Sequence, residues 1–105
     1  MDDILTKLER ILEERKSANA DESYVSSLYA RGLDEILKKI GEESTEVVMA
    51  AKDNDKDKII YEVADLWFHT LVLLRHKDIK IDKILDELSK RFGLSGLEEK
   101  ANRNN

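Results

Sequence analysis

Two pairs of carboxylates at helical spacing, Glu43-x-x-Glu46 and Glu62-x-x-Asp65, are the residues of this chain best suited to chemistry. The i,i+3 spacing puts both members of a pair on one helix face, where their like charges repel. A helix gains nothing from that arrangement unless a cation sits between the groups. Carried on neighbouring antiparallel helices, Glu43, Glu46, Glu62 and Asp65 would form an oxygen-only cage. Such a cage suits Mg²⁺, which in turn suits phosphate chemistry. Either pair alone is common on solvated helices, and ion pairs with Lys38 or Lys39 would explain part of the acidity.

What separates these carboxylates from ordinary surface charge is their place in the apolar pattern. Ile36, Ile40, Val47 and Ala50 form one stripe at about 100° per residue, and Glu43 falls in its middle with Glu46 at its edge. A lone ionised carboxylate on a buried stripe is costly, so a cation or a hydrogen-bond network is implied. The second segment is apolar around most of its circumference, from Ile59 and Ile60 through Trp67 and Phe68 to Leu73 and Leu74. A helix of that kind is normally buried in its own domain or in an oligomer. Its one polar line is Glu62, Asp65 and His69, at i, i+3 and i+7. His69 is therefore either a lining residue that reaches a phosphate or a satisfied core histidine. Lys38 and Lys39, one turn before the acidic motif, are candidates to neutralise a substrate phosphate, although lysines on helix faces are more often simply solvated.

The elements that must position these groups are helices. The chain has no Pro and only 4 Gly, and its apolar spacing is helical nearly throughout. The spacing predicts a first helix over about 3–16 with Ile4, Leu8, Ile11 and Leu12 inward, and Asp2 and Asp3 favouring its start. A short helix over 22–30 turns Tyr24, Val25 and Leu28 inward, and Gly32 breaks it. A third helix spans 33–52, the polar run 53–57 turns the chain, a fourth covers 58–77 and a fifth 81–92. Gly93-Leu94-Ser95-Gly96 ends the last, and 97–105 is a polar tail. The expectation is one all-α domain over 1–105, with 93–105 as its C-terminal tail.

Composition limits the functions open to it. At 105 residues the chain makes one small domain, for which a dimer sharing core is physically sensible. A net charge of −5 argues against a sequence-independent nucleic-acid binder, yet not against a nucleotide substrate. With no Cys and 2 His, thiolate chemistry is excluded and a Zn²⁺ site is disfavoured. No signal-peptide pattern opens the chain and no apolar run approaches the ~18 residues of a membrane span, so a cytoplasmic protein is expected. There is no Gly-rich phosphate loop and no dinucleotide fingerprint.

With Glu42-Glu43-x-x-Glu46 and Glu62-x-x-Asp65 in place, the chain resembles the all-α MazG-type nucleotide pyrophosphohydrolases. Within them it is similar to the phosphoribosyl-ATP pyrophosphohydrolase family. That likeness extends over Glu14-Arg15-Lys16, Glu22-Ser23-Tyr24 with Leu28, the run from Lys38 to Glu43, Glu62 to His69, and Gly96 to Ala101. Trp67-Phe68 stands where that family often has Leu-Tyr, and the cyclohydrolase domain fused on in some relatives is absent. The resemblance implies a four- to five-helix bundle, dimeric with a shared core. It also implies Mg²⁺-dependent hydrolysis of phosphoribosyl-ATP to phosphoribosyl-AMP and pyrophosphate, the second step of histidine biosynthesis. Glu43, Glu46, Glu62 and Asp65 would then hold the metal. Glu42 is a candidate for a second ion, for orienting the water or for general base. Arg15, Lys16, Lys38, Lys39, Lys100 and Arg103 are candidates for phosphate contact. Two other readings stay open: a house-cleaning hydrolase of (deoxy)nucleoside triphosphates, and a non-catalytic helical dimerisation module.

Overall fold

The computed structural model describes residues 3–92, and among them the regular structure is helical. Helix α1 (Ile4–Glu14) passes through a 3-10 turn (Arg15–Ser17) toward α2 (Tyr24–Arg31); α3 (Leu33–Lys52), α4 (Lys56–His76) and α5 (Ile81–Ser89) follow. The expected tail, including Lys100 and Arg103, lies outside the described residues.

Short polar side chains start α1, α2 and α4. Asp3, Ser23 and Asp55 accept the backbone N–H of Thr6, Ser26 and Lys58 at 2.8, 3.2 and 3.2 Å. Each bond satisfies a donor that the first helical turn leaves unpaired. The Asp55 cap is why α4 starts at Lys56, slightly earlier than the spacing predicts. Gly32, with φ of 95°, separates α2 from α3 in a conformation that costs a side-chain-bearing residue more.

The long helices α3 and α4 pack against each other as a hairpin, with α1 on α4 and α2 on α3. Leu12, Val25, Leu28, Ile36, Leu71, Val72, Leu74 and Ile81 form the buried core. This core gathers around the C-terminal half of α4. In α1 it takes Leu5, Leu8 and Leu12 rather than the expected Ile4, which is 73% exposed, and Ile11, which is also exposed. Ile4 and Ile11 sit roughly 80–100° round the helix from Leu12, off the face that meets α4. Helix α5 ends at Ser89, short of the expected Phe92, which is exposed.

The N-terminal half of α4 is not covered within one chain. Ile60, Tyr61 and Trp67 are 69%, 68% and 60% exposed, so one chain does not supply the all-round burial its apolar surface asks for. An apolar groove of about 470 Å³ runs beside Trp67, between Leu5, Leu66, Leu71, Ile84 and Leu88. No helix among the described residues is long and apolar enough to cross a membrane.

A buried ion network closes the opposite end. Arg75, near the end of α4, gives Nη1 to Glu13 Oε1 at 2.9 Å and Nη2 to the Ile79 carbonyl at 2.7 Å; Glu9 Oε2 lies 3.8 Å from Nη2. Glu9 also accepts the Ile81 amide at 2.7 Å, and Lys16 bridges Glu13 and Asp78. Together these contacts tie α1 to the α4–α5 connection.

Candidate active site

The α3–α4 hairpin carries Glu43 to the inner face of one helix and Glu62 and Asp65 to the facing side of the other. Glu43 is only 7% exposed, with Glu62 similarly buried and Asp65 half-buried. An Asp65 oxygen lies within 4.8 Å of one on Glu43, and Glu62 stands near enough to act on the same carboxyl. Burial, followed by Asp65 and Glu62, pushes the Glu43 carboxyl up to about 7 from its ordinary 4.5. No Lys or Arg among the described residues forms an ion pair with these three groups. Glu43, Asp65 and His69 each offer a ligating atom within 4.8 Å of the others. That group offers two carboxylate oxygens and one imidazole nitrogen, and Glu62, buried beside it, brings a third carboxylate; with no compensating side-chain cation among the described residues, the three carboxylates fit a divalent ion of the Mg²⁺ class.

Glu46, one turn beyond Glu43, is half-buried and stands outside that convergent group. Glu42, next to Glu43 but turned about 100° away, is more exposed. Its carboxylate lies 4.0 Å from Lys38 Nζ and 3.9 Å from Lys39 Nζ. Both lysines thus stand one turn from the carboxylates with their charge partly engaged, and Lys39 is the more covered of the two.

His69 is 3% exposed, and both ring nitrogens have partners. Nδ1 lies 2.9 Å from the Asp65 carbonyl oxygen and 3.7 Å from Asp65 Oδ1. Nε2 lies 2.8 Å from the Tyr24 hydroxyl, and the Tyr24 ring meets the imidazole edge-on at 89°. Burial raises the Tyr24 phenol above its ordinary value; Lys39 opposes the rise, and Asp65 and Glu43 add to it. The spacing of α2 puts Tyr24 inward, yet at the first position of the helix it is 51% exposed, and it reaches the site only through its contact with His69. The one signal in the sequence is its place in the Glu22-Ser23-Tyr24 segment.

Arg15 and Lys16 lie in the 3-10 turn, away from the convergent carboxylates in the chain's own contacts. Lys16 is paired with Glu13 at 3.1 Å and Asp78 at 2.9 Å. The turn is pinned to α2 by Ser26, whose Oγ donates to the Arg15 carbonyl at 2.7 Å.

Residues 5–92 match the phosphoribosyl-ATP pyrophosphohydrolase family. Over its full length the chain is 75% identical to the phosphoribosyl-ATP pyrophosphatase of Vesicomyosocius okutanii and 74% identical to that of Ruthia magnifica, in each case covering all of both chains. The protein of the same name from Hydrogenovibrio crunogenus is 60% identical, over 96% of this chain and 93% of that one.

Proposed function

The chain belongs to the phosphoribosyl-ATP pyrophosphohydrolase family, and on that premise we propose that it hydrolyses phosphoribosyl-ATP to phosphoribosyl-AMP and pyrophosphate with Mg²⁺. The step is the second of histidine biosynthesis, and the protein works in the cytoplasm. The observation that carries the reading is the buried Glu43 carboxyl, packed against Glu62 and Asp65 with no cationic side chain among the described residues paired to it. Such a cluster is poorly stable by itself and well suited to a dication.

Glu43, Glu62 and Asp65 would hold the metal, with Glu46 completing the set from the next turn of α3. A Mg²⁺ ion there supplies charge neutralisation for the phosphates between which the bond breaks. Lys38 and Lys39 add positive charge at the same end of α3, where a triphosphate gains most from it. Glu42, free of the convergent group, orients the attacking water and takes its proton. Arg15 and Lys16 in the 3-10 turn are further candidates for phosphate contact. His69 serves the site through Asp65.

The exposed strip of Ile60, Tyr61 and Trp67, with the groove beside it, is the face for a second copy of the chain. A domain of 105 residues has little core of its own, and these side chains supply what a dimer would share. Trp67→Glu should yield a monomer by light scattering, while an unchanged mass would remove Trp67 from the interface.

One assay tests the activity. Purified protein with Mg²⁺ should release pyrophosphate from phosphoribosyl-ATP and much less from ATP or dNTPs. Comparable turnover of plain triphosphates would favour the house-cleaning reading, and no release with any divalent ion would favour the dimerisation module.

A further inference from the structure

His69 sits among the carboxylates, and its buried ring is within ligating reach of Glu43 and Asp65. Its hydrogen bonds give it a different job. The Asp65 carbonyl has lone pairs and no hydrogen, so Nδ1, at 2.9 Å, must be the ring nitrogen that carries a proton and donates it. In the neutral ring Nε2 then has only a lone pair, and the Tyr24 hydroxyl at 2.8 Å donates into it. Both nitrogens are used, and the one lone pair, on Nε2, is taken by the Tyr24 hydroxyl rather than open to a cation. Tyr24 comes from α2, so this contact ties a third helix to the α3–α4 site across 45 positions of sequence.

Resting on the metal reading given under Proposed function, we propose that Tyr24 is a positioning residue of the site. By donating to Nε2 it holds His69 as the Nδ1–H tautomer, which steadies the Asp65 turn of α4 and leaves the cation to carboxylate oxygens alone. The ring is clamped from two more sides. Tyr24 meets it edge-on at 5.9 Å between centroids, and Phe68 meets it edge-on at 5.5 Å. Outer partners that fix a ligand's orientation commonly change metal affinity by roughly 10–100-fold when removed. Tyr24 acts one contact further out, and the lower end of that range is expected. An oxygen-only set also favours Mg²⁺ over the ions that prefer imidazole.

Nitrogen-15 NMR of the imidazole in the full chain tests this directly. The wild type should show a protonated Nδ1 and a bare Nε2, both unchanged when Mg²⁺ is added. A proton on Nε2, or a His69 nitrogen shifting to a metal-bound signal, would overturn the proposal. Tyr24→Phe removes only the hydroxyl. In that variant the His69 Nδ1–H should exchange faster with solvent and the Mg²⁺ dissociation constant should rise roughly tenfold. Wild-type exchange and wild-type Mg²⁺ affinity in a folded Tyr24→Phe would overturn the proposal too. A wild type that binds no Mg²⁺ sinks the proposed function instead, and the tautomer measurement on the cation-free protein still decides the role of Tyr24.

Discussion

Helix α4 carries two polar clusters with opposite design. At one end Glu62 and Asp65 crowd the buried Glu43, like charge against like, with no Lys or Arg among the described residues closing the set. Roughly 15 Å further along the helix axis, Arg75 is buried among Glu9, Glu13 and the Ile79 carbonyl, opposite charge against opposite. The second cluster is balanced in charge within the chain, although the buried Arg75 Nε has no hydrogen-bond partner among the described residues, and its hydrogen bonds join α1 to the start of α5. The first gathers like charges, which is the ground for the cation proposed for it. Burial alone does not distinguish a functional charge from a structural one; the sign of its neighbours does.

Asp65→Asn should separate the two clusters most sharply. Losing one charged group at a phosphoryl-transfer site lowers turnover by roughly 10²–10³-fold, and any Mg²⁺-induced rise in melting temperature should vanish. The cation-free variant should melt no lower than wild type, because one like-charge contact with Glu43 is gone. A cation-free Asp65→Asn that is clearly destabilised would place this cluster in the same structural class as that of Arg75.

Arg75→Met is the reciprocal experiment. It leaves Glu13 and Glu9 without their guanidinium, and Glu13 is partly open to water, so the loss is about 2–3 kcal/mol rather than the larger cost of a fully buried pair. Denaturant unfolding should show it in the midpoint, with kcat of the folded protein little altered. A large fall in kcat at full stability would mean that the balanced cluster also serves the reaction.

Acidity sharpens the comparison further. Glu43 holds its proton more tightly folded than unfolded, with burial and its carboxylate neighbours raising it from 4.5 to about 7. Its contribution to stability is therefore fully present below about 4.5 and is lost as pH rises through about 7. The melting temperature of the cation-free protein should fall by a few degrees over that window, and Mg²⁺ should restore more of it the higher the pH. Glu43→Gln should flatten the slope; the same slope in that variant would assign it to another group.

The carboxylate site was far more legible in the sequence than the ion network. Glu43 interrupts a 3.6-residue apolar stripe and Glu62, Asp65 and His69 form a line on α4, so local periodicity was enough to find them. The order of helices was readable for the same reason, with Gly32 and the turn before Asp55 as punctuation. Arg75 and its partners on α1 lie 62 or more positions apart, and nothing in either helix marks the other. Tyr24 was hidden in a different way: its position fits an apolar stripe, and only its hydroxyl gives it a second role. The exposed half of α4 was left open, because apolar composition asks for cover without naming what supplies it.

The smallest expected effect lies where the two regions meet, at Ser26. Its buried Oγ donates to the Arg15 carbonyl at 2.7 Å, holding the 3-10 turn that bears Arg15 and Lys16 against α2. Ser26→Ala deletes that donor, but the carbonyl keeps the Ala18 amide at 3.3 Å, so it is not left bare. The cost should be about 1 kcal/mol, seen as a small drop in the unfolding midpoint. Lys16 stays tied to Asp78 and Glu13, so the turn loosens rather than opens. If Arg15 contacts substrate phosphate, ordering the looser turn weakens binding, and KM should rise about two- to fivefold for less than 1 kcal/mol with kcat unchanged. A stability loss with KM unmoved would leave Ser26 a packing residue and take Arg15 away from the phosphates.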